Sequence, residues 1–374
     1  MAASSANTTF ICTRWWGDVR ILVHEFVSGG GLAGQDVPVS LGREASAMLT
    51  ALVADLAAIG GHEGHEIVTT ADARFPHTMP PAVEVVTLPP ARKAREALLD
   101  RLMASADAVW LVAPETDRCL ERLAARVERQ PTLLLGASAE AIRRASDKAA
   151  LPRRLARVGV RHPTTRALRP DADWARAARE IGYPVVVKPG RGAGCDGVCL
   201  ARNARELRRA VAIARRTSGS GRLVLQEYVT GRAASVSLLA DGRRAVALTL
   251  NAQSVRSSRP FSYRGGRTPF DHPLTSKAIE AAIGTCRALP GLRGFVGVDL
   301  VLTATDAIVI EVNPRLTTAY LGVRSALEEN VAALALAACA GVLPAPLSAR
   351  RRVRFTAAGR IVSTEPYASR PGIA

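Results

Sequence analysis

Aromatic side chains are scarce, at 4% of the 374 residues. Proteins that hold nucleic acid by stacking bases need such rings, so their rarity argues against a nucleic-acid partner despite a formal net charge of +17. The excess is mostly Arg spread along Ala-rich segments such as 92–101, 118–129 and 202–216. It reads partly as coding bias and partly as attraction for anionic small substrates. The six cysteines, at 12, 119, 195, 199, 286 and 339, include no C-x-x-C pair. Reduced thiols in a cytoplasmic protein are expected, not a disulfide framework. Long apolar runs are missing too: the longest, 331–343, contains a Gly and is too short for a bilayer, so no membrane partner is expected. The opening MAASSANTTFICTRWWGD has no basic start followed by an apolar stretch, so 1–18 is expected to be a loose tail and not a signal peptide.

The two commonest phosphate-binding signatures are absent as well. An apolar stretch, VRILVHEF, runs into Ser28-Gly29-Gly30-Gly31, but no G-x-G-x-x-G spacing follows. Consecutive glycines there fit a tight turn or the close approach of a ligand. No G-K-[ST] opens a helix, which disfavours a P-loop kinase or GTPase.

What is present alternates. Strand candidates at 19–26, 66–70, 83–88, 108–113 and 132–136 are interleaved with helical patterns at 41–59, 91–105 and 117–129. Such alternation predicts a doubly wound parallel sheet, a small α/β domain over 19–136. Ala113-Pro114-Glu115 falls at the C-terminal end of a strand, where open α/β sheets hold ligands. His62-x-x-His65 sits in a Gly-rich loop with no obvious third ligand and reads as a solvent-facing turn.

The second half changes character. Ser146-Asp147-Lys148 opens a basic helix expected to end at Gly159, with an extended 160–165 and a helix at 174–181. Then 185–188 reads as a buried strand ending in Lys188, 190–197 as a loop with four glycines, and 198–200 as the returning strand. A lysine beside a glycine hairpin suits a polyphosphate held by charge and backbone N–H groups. The strand 223–231 brings Gln226-Glu227-Tyr228-Val229, a stretch able to offer backbone groups to a base edge, and Asp241-Gly242 marks a hairpin. Finally, 295–302 and 307–312 pair around a polar turn. Glu311 and Asn313 are two apart and share a face, and pairing brings Asp299 beside them. Two carboxylates and an amide oxygen suit a hard divalent cation. Acids at strand ends also occur on plain surface hairpins, but Asn313-Pro314-Arg315 directly after a buried strand is equipped for a phosphate.

In this order, Lys148, Val187-Lys188-Pro189, the loop 190–197, Gln226-Glu227-Tyr228-Val229, Asp299 and Glu311-Val312-Asn313-Pro314-Arg315 resemble the ATP-grasp ligases. The combination is far more specific than any of its parts and covers about residues 137–345. It implies an α/β protein: an ATP-grasp fold of two α+β lobes, 137–228 and 229–345, behind a pre-ATP-grasp domain at 19–136 and before a C-terminal extension, 346–374. It further implies that Lys148 and Lys188 bind ATP phosphates under a loop containing Gly192 and Gly194. Glu227 and Val229 contact adenine through the main chain, with Gln226 and Tyr228 alongside. By the same resemblance Asp299, Glu311 and Asn313 would hold Mg²⁺, with Mn²⁺ as an alternative. Lys188, Asn313 and Arg315 act on the transferred phosphate. Many relatives place a ribose-contacting acid two residues after the glycine matching Gly231; here the residue is Ala233.

A narrower set, ILVHEFVSGGG, Asn251-Ala252-Gln253, Tyr263-x-Gly265-Gly266 and NPRLTTAYLG, is similar to the tyramine–glutamate ligases of methanofuran biosynthesis. That resemblance implies glutamate and an aromatic amine as partners, with acceptor specificity from 28–32 and 251–266. Another amino-acid ligase and a non-catalytic ATP sensor remain as rival readings, and a homodimer is left open.

Overall fold

Strand β1 (Arg20–Glu25) buries both of its faces: Leu22 packs into one hydrophobic cluster, Ile21 and Val23 into another. Neighbouring side chains of a strand point to opposite faces, so an uninterrupted apolar run fits a strand covered on both sides. With β2 (Glu66–Ala71), β3 (Glu84–Thr87), β4 (Ala108–Val112) and β5 (Leu133–Leu135) it forms a parallel sheet in the order β3-β2-β1-β4-β5. Helix α1 (Val39–Ala57) covers the Ile21 face through Leu49, Leu52 and Leu56. Helices α2 (Arg92–Ser105) and α3 (Cys119–Val127) cover the Leu22 face through Leu99, Met103, Leu120 and Leu123. The expected doubly wound arrangement is therefore present. This computed structural model describes residues 19–59, 65–75, 77–169, 172–218, 221–257 and 260–368; the expected tail 1–18 and His62 lie outside them.

After α4 (Ala139–Ala145) the chain departs from expectation. No helix begins at Ser146. The Asp147 carboxylate accepts the N–H groups of Ala149 and Ala150, both at 3.1 Å, and the Lys148 N–H bonds the carbonyls of Ser146 and Gly190. A short polar side chain that closes on its own backbone makes a turn in place of a helix. The helix, α5 (Leu151–Ala156), starts after it, with a proline in its first turn. Lys148 is consequently fixed in a turn and faces inward.

The next lobe is a four-stranded antiparallel sheet, β6-β9-β7-β8, built from β6 (Thr165–Leu168), β7 (Val185–Pro189), β8 (Cys199–Ala201) and β9 (Leu223–Glu227). Of the expected extended run 160–165, only Thr165 joins a strand. Helices α6 (Trp174–Ile181) and α7 (Ala204–Thr217) cover one face. In α7 the apolar stripe is Leu207, Ala210, Val211 and Ala214, and the Asn203 side chain caps the start by accepting the Glu206 N–H at 3.0 Å. The cluster this lobe buries is separate from the other two.

The last lobe is a seven-stranded antiparallel sheet, in which β10 (Arg232–Asp241) pairs along its whole length with β13 (Arg293–Leu302). With β11 (Ala245–Arg256), β12 (Ser262–Thr268), β14 (Ala307–Asn313), β15 (Arg351–Thr356) and β16 (Ile361–Pro366) the order is β14-β13-β10-β11-β12-β15-β16. The expected C-terminal extension thus contributes two strands to this sheet. Helices α8 (Thr275–Arg287), α9 (Ala319–Ala326) and α10 (Val331–Cys339) flank it, and the long apolar run noted above is the buried α10. Among the described residues no helix is long and apolar enough to cross a membrane.

Helix α1 joins the first domain to this lobe. Its Asp55 accepts the Tyr320 hydroxyl at 2.5 Å and the Arg324 guanidinium at 2.7 and 2.5 Å, while Asn330 donates to the Asp55 carbonyl at 2.8 Å. Tyr320 is fully buried, so a missing acceptor leaves its hydroxyl stranded. Asp55→Ala is therefore expected to cost about 2–3 kcal/mol, and Tyr320→Phe about 1 kcal/mol. Urea unfolding midpoints read both; equal midpoints for wild type and Asp55→Ala would contradict the joint.

Candidate active site

In the β13–β14 hairpin, Asp299 stands directly opposite Glu311, and Gly297 opposite Asn313, with a register shift just after Asp299. Cross-strand partners on one face lie about 5 Å apart, so two carboxylates confront each other in a largely buried setting. Like charges so placed repel. Burial first, and the Glu311 charge second, push the Asp299 carboxyl well above its ordinary range. Burial acts on Glu311 in the same direction, but Lys148 and Lys188 override it and hold Glu311 below its ordinary value.

The compensating groups come from other elements. Lys148 Nζ lies 2.8 Å from Glu311 Oε2, with both side chains mostly buried. Asp299 accepts the Gln253 amide at 2.8 Å and the Asn313 amide at 3.0 Å. Lys188, at the end of β7, is 3% exposed; burial, and then Lys148, bring its ammonium down to about 8. Two lysines and two carboxylates thus share one largely buried site. The expected donor set does converge. Its members, two carboxylates and one amide, fit a hard divalent cation, which prefers oxygen and keeps waters or phosphate oxygens on its other positions. In this geometry Asn313 directs N–H toward Asp299, and rotation of the amide would present its oxygen instead. Among the described residues no cluster of three or more His, Cys, Asp or Glu is placed to hold a metal.

The glycine loop 190–197 lies over this group. Gly190 is bonded to both sides, its carbonyl accepting the Lys148 N–H and its own N–H donating to Arg222. Gly197 has a positive φ of 68°, and a Cβ there would come within 2.0 Å of the Thr217 hydroxyl, so no other residue fits. The loop also touches the first domain: Ala193 N–H reaches the Thr116 hydroxyl at 3.4 Å, and Arg191 lies 3.6 Å from Glu121.

The segment expected at adenine is stapled in place. Gln226 is buried and donates to the Thr165 hydroxyl at 2.8 Å. Glu227 accepts the Thr164 N–H on its carboxylate at 3.1 Å and donates its own N–H to Thr164, and Tyr228 N–H bonds Pro184.

Arg315 has a partner that the sequence reading did not assign. Glu115 receives it in a two-pronged pair at 2.9 and 3.1 Å, and Arg315 also donates to the Leu316 carbonyl at 3.1 Å. A guanidinium has five N–H donors, so two remain. Glu115 was marked by its place at a strand's C-terminal end, but its pairing over 200 residues of sequence was not readable. Glu44 of α1 was missed as well. It accepts the Thr318 hydroxyl, and its carboxyl is raised by burial against the opposing influence of Thr318 and Arg315. Tyr263, in the stretch expected to select the acceptor, is raised by burial and by the Asp299 and Glu44 charges.

Comparison with known proteins bears on the fold. Residues 145–319 match the ATP-grasp domain, and residues 65–142 the pre ATP-grasp 3 domain. The chain is similar to two curated proteins named tyramine–L-glutamate ligase. One, from Methanocaldococcus jannaschii, is 35% identical over 27% of this chain and 32% of that protein. The other, from Methanocaldococcus fervens, is 27% identical over 59% of this chain and 62% of that protein. The matched part is therefore less than two thirds of either relative. Among solved structures, an ATP-grasp superfamily protein from Archaeoglobus fulgidus superposes with a TM-score of 0.64 at 25% identity, covering 90% of this chain and 92% of that one. A biotin carboxylase bound to β,γ-ATP, from Campylobacter jejuni, gives 0.68 at 18% identity over 90% and 75%, which shows a shared fold.

The Glu115–Arg315 pair is mostly buried, with side chains 4% and 13% exposed. Removing one partner strands the other charge, so Glu115→Ala is expected to lose about 3 kcal/mol or more. The double variant Glu115→Ala/Arg315→Met should lose less than the sum of its singles. Strict additivity in urea unfolding would mean that the two do not interact.

Proposed function

From a chain that carries an ATP-grasp domain behind a pre-ATP-grasp domain, we infer an ATP-dependent ligase that joins a carboxylate to an amine with release of ADP and phosphate. The carboxylate is the γ-carboxyl of glutamate, and the amine is aromatic, tyramine or tyrosine. The observation that carries this reading is the meeting of Lys148 and Lys188 with the Asp299–Glu311 pair beneath the glycine loop. The two curated relatives named tyramine–L-glutamate ligase support the choice of substrates. The setting is cytoplasmic.

Asp299, Glu311 and the Asn313 oxygen would hold Mg²⁺, or Mn²⁺, which would supply charge neutralisation on the ATP phosphates. The remaining work falls to the chain. Lys148 exchanges Glu311 for a phosphate oxygen, and Lys188 stands beside it, so positive charge is in place before the reaction needs it. Glu115 holds the Arg315 guanidinium with two donors free toward the phosphoryl group in transfer. The substrate carboxylate attacks the γ-phosphorus of ATP, forming an acyl phosphate as the bond to ADP breaks; the amine then attacks the acyl carbon, forming the amide as phosphate leaves and the nitrogen loses a proton. Closure of 190–197 keeps water from the acyl phosphate. Main-chain groups of Glu227 and Val229 seat the adenine, with Gln226 and Tyr228 holding the strand exit in shape. The acceptor lies toward 28–32 and 251–266, close to Tyr263 and Gln253.

Purified protein with Mg²⁺, ATP and glutamate is expected to release ADP faster when tyramine or tyrosine is added, and mass spectrometry should find the amine heavier by one glutamyl unit. Lys188→Ala and Glu311→Ala should each abolish ADP release and retain the wild-type circular dichroism. ATP turnover at the wild-type rate by a folded Glu311→Ala protein would remove this assignment of the metal site.

Acidity adds a second test. Lys188 loses its proton near pH 8 in the free protein, and the ATP polyanion favours the charged form. Affinity for ATP should therefore fall as pH rises through 8, and binding at higher pH should take up a proton. Calorimetry in buffers of different ionisation enthalpy measures this; an affinity independent of pH across that range would separate Lys188 from the phosphates.

A further inference from the structure

A cavity of about 790 Å³ opens in the first domain, between α2 and α3 and against β1. All of its lining lies between His24 and Gln130, so it belongs to the parallel-sheet domain alone and is distinct from the Asp299–Glu311 cleft. Its size falls within the range of about 300–1,000 Å³ usual for small-molecule pockets. Leu88, Leu99 and Leu123 give it an apolar wall.

The remaining lining is cationic. Arg92 and Arg95 come from α2, and Arg122, Arg126 and Arg129 from α3 and the turn after it. Only two carboxylates face them. Glu96 pairs with Arg92 at 2.8 Å and Asp100 with Arg126 at 2.6 Å. Arg95 donates to the carbonyls of Ala33 and Pro90, and Arg122 to that of Asp117; Arg95 feels the Asp72 and Glu96 charges without pairing closely with either. The Arg92–Glu96 pair is well exposed and holds its partners weakly.

His24 lies at the floor, fully buried. Its Nδ1 is 2.7 Å from the Thr70 hydroxyl, whereas Nε2 is buried with no hydrogen-bond partner. Burial and then Arg126 hold the ring near a pKa of about 3, so it is neutral and can carry one donor. If Thr70 donates to Nδ1, the proton sits on Nε2. A buried donor without an acceptor is rare and costly in a folded protein.

We propose that this cavity is a second ligand site, for an organic anion. Its carboxylate or phosphate engages the arginines of α2 and α3, and its body rests on Leu88, Leu99 and Leu123, with the His24 ring buried beneath it. Gly31, of the segment assigned to the acceptor, also lines this cavity, but the arginines that carry the site lie outside that segment, and the site holds whether or not the chain is a ligase.

Phenylacetate and phenyl phosphate probe the two anion chemistries, titrated separately into the full chain at low ionic strength and followed by calorimetry. Saturable binding of one assigns that chemistry, and binding of both assigns the shared anion. In Arg122→Glu/Arg129→Glu, two exposed positions, the affinity should drop by about tenfold or more with the thermal midpoint unchanged. Saturating Mg·ATP should leave the wild-type isotherm as it was. The proposal is overturned if neither probe binds at millimolar concentration, if the double variant binds as the wild type does, or if ATP displaces the probe.

Discussion

The buried ion pair between Lys148 and Glu311 is the contact on which the rest of the site depends. It joins the turn that follows the first domain to the last strand of the large lobe's hairpin, 163 residues further on. Burial works against the charged form of both partners, and each is kept charged by the other. The pair also sets the balance of its neighbours. It draws charge away from the repulsion between Glu311 and Asp299, and it places a second ammonium close enough to Lys188 to make that lysine easier to deprotonate. Such an arrangement is poised: each of its charges gains from an incoming phosphate or cation of opposite sign.

The fold supplies the walls around that pair in unequal ways. The first domain and the large lobe share a continuous apolar cluster, reinforced by Asp55 with Tyr320 and Arg324, and together they form the fixed side of the cleft. The small lobe buries a cluster of its own. A lobe with a separate core can shift as a unit without unpacking its neighbours. The glycine loop belongs to that lobe, and its contacts to Thr116 and Glu121 are few and long. Movement of the loop needs only a small rearrangement of weak contacts, whereas the hairpin that carries Asp299 and Glu311 stays where the large sheet puts it.

Arg315 illustrates how the first domain reaches the cleft. Its guanidinium is oriented by Glu115, which sits just beyond β4 at the carboxyl end of the parallel sheet. An isolated arginine on a loop would sample many rotamers; a two-pronged carboxylate removes most of them. The same edge of the sheet brings Glu44 against Thr318. The parallel-sheet domain is thus part of the cleft and not merely its neighbour.

Much of this was legible in the residue order. The alternation of apolar runs and helical stripes determined a parallel sheet, because period and length are local properties. The spacing of Glu311 and Asn313 put both on one strand face for the same reason. The glycines of 190–197 and the lysine before them marked a loop and a buried cation at the cleft through their backbone freedom and charge. Other features depended on contacts that no local pattern encodes. The helix expected from Ser146 gave way to a turn because the Asp147 carboxylate closed on its own backbone and Gly190 was there to accept the Lys148 N–H. The partnership of Arg315 with Glu115, the unpaired nitrogen of His24 and the arginine-lined cavity above it arose only when distant helices packed. By itself the sequence determined the elements and the kinds of group that do the chemistry, since those follow from propensity, period and side-chain type. Tertiary structure alone decided which charges meet and at what depth, since burial and distance, which set the strength and acidity of each group, exist only in the folded chain.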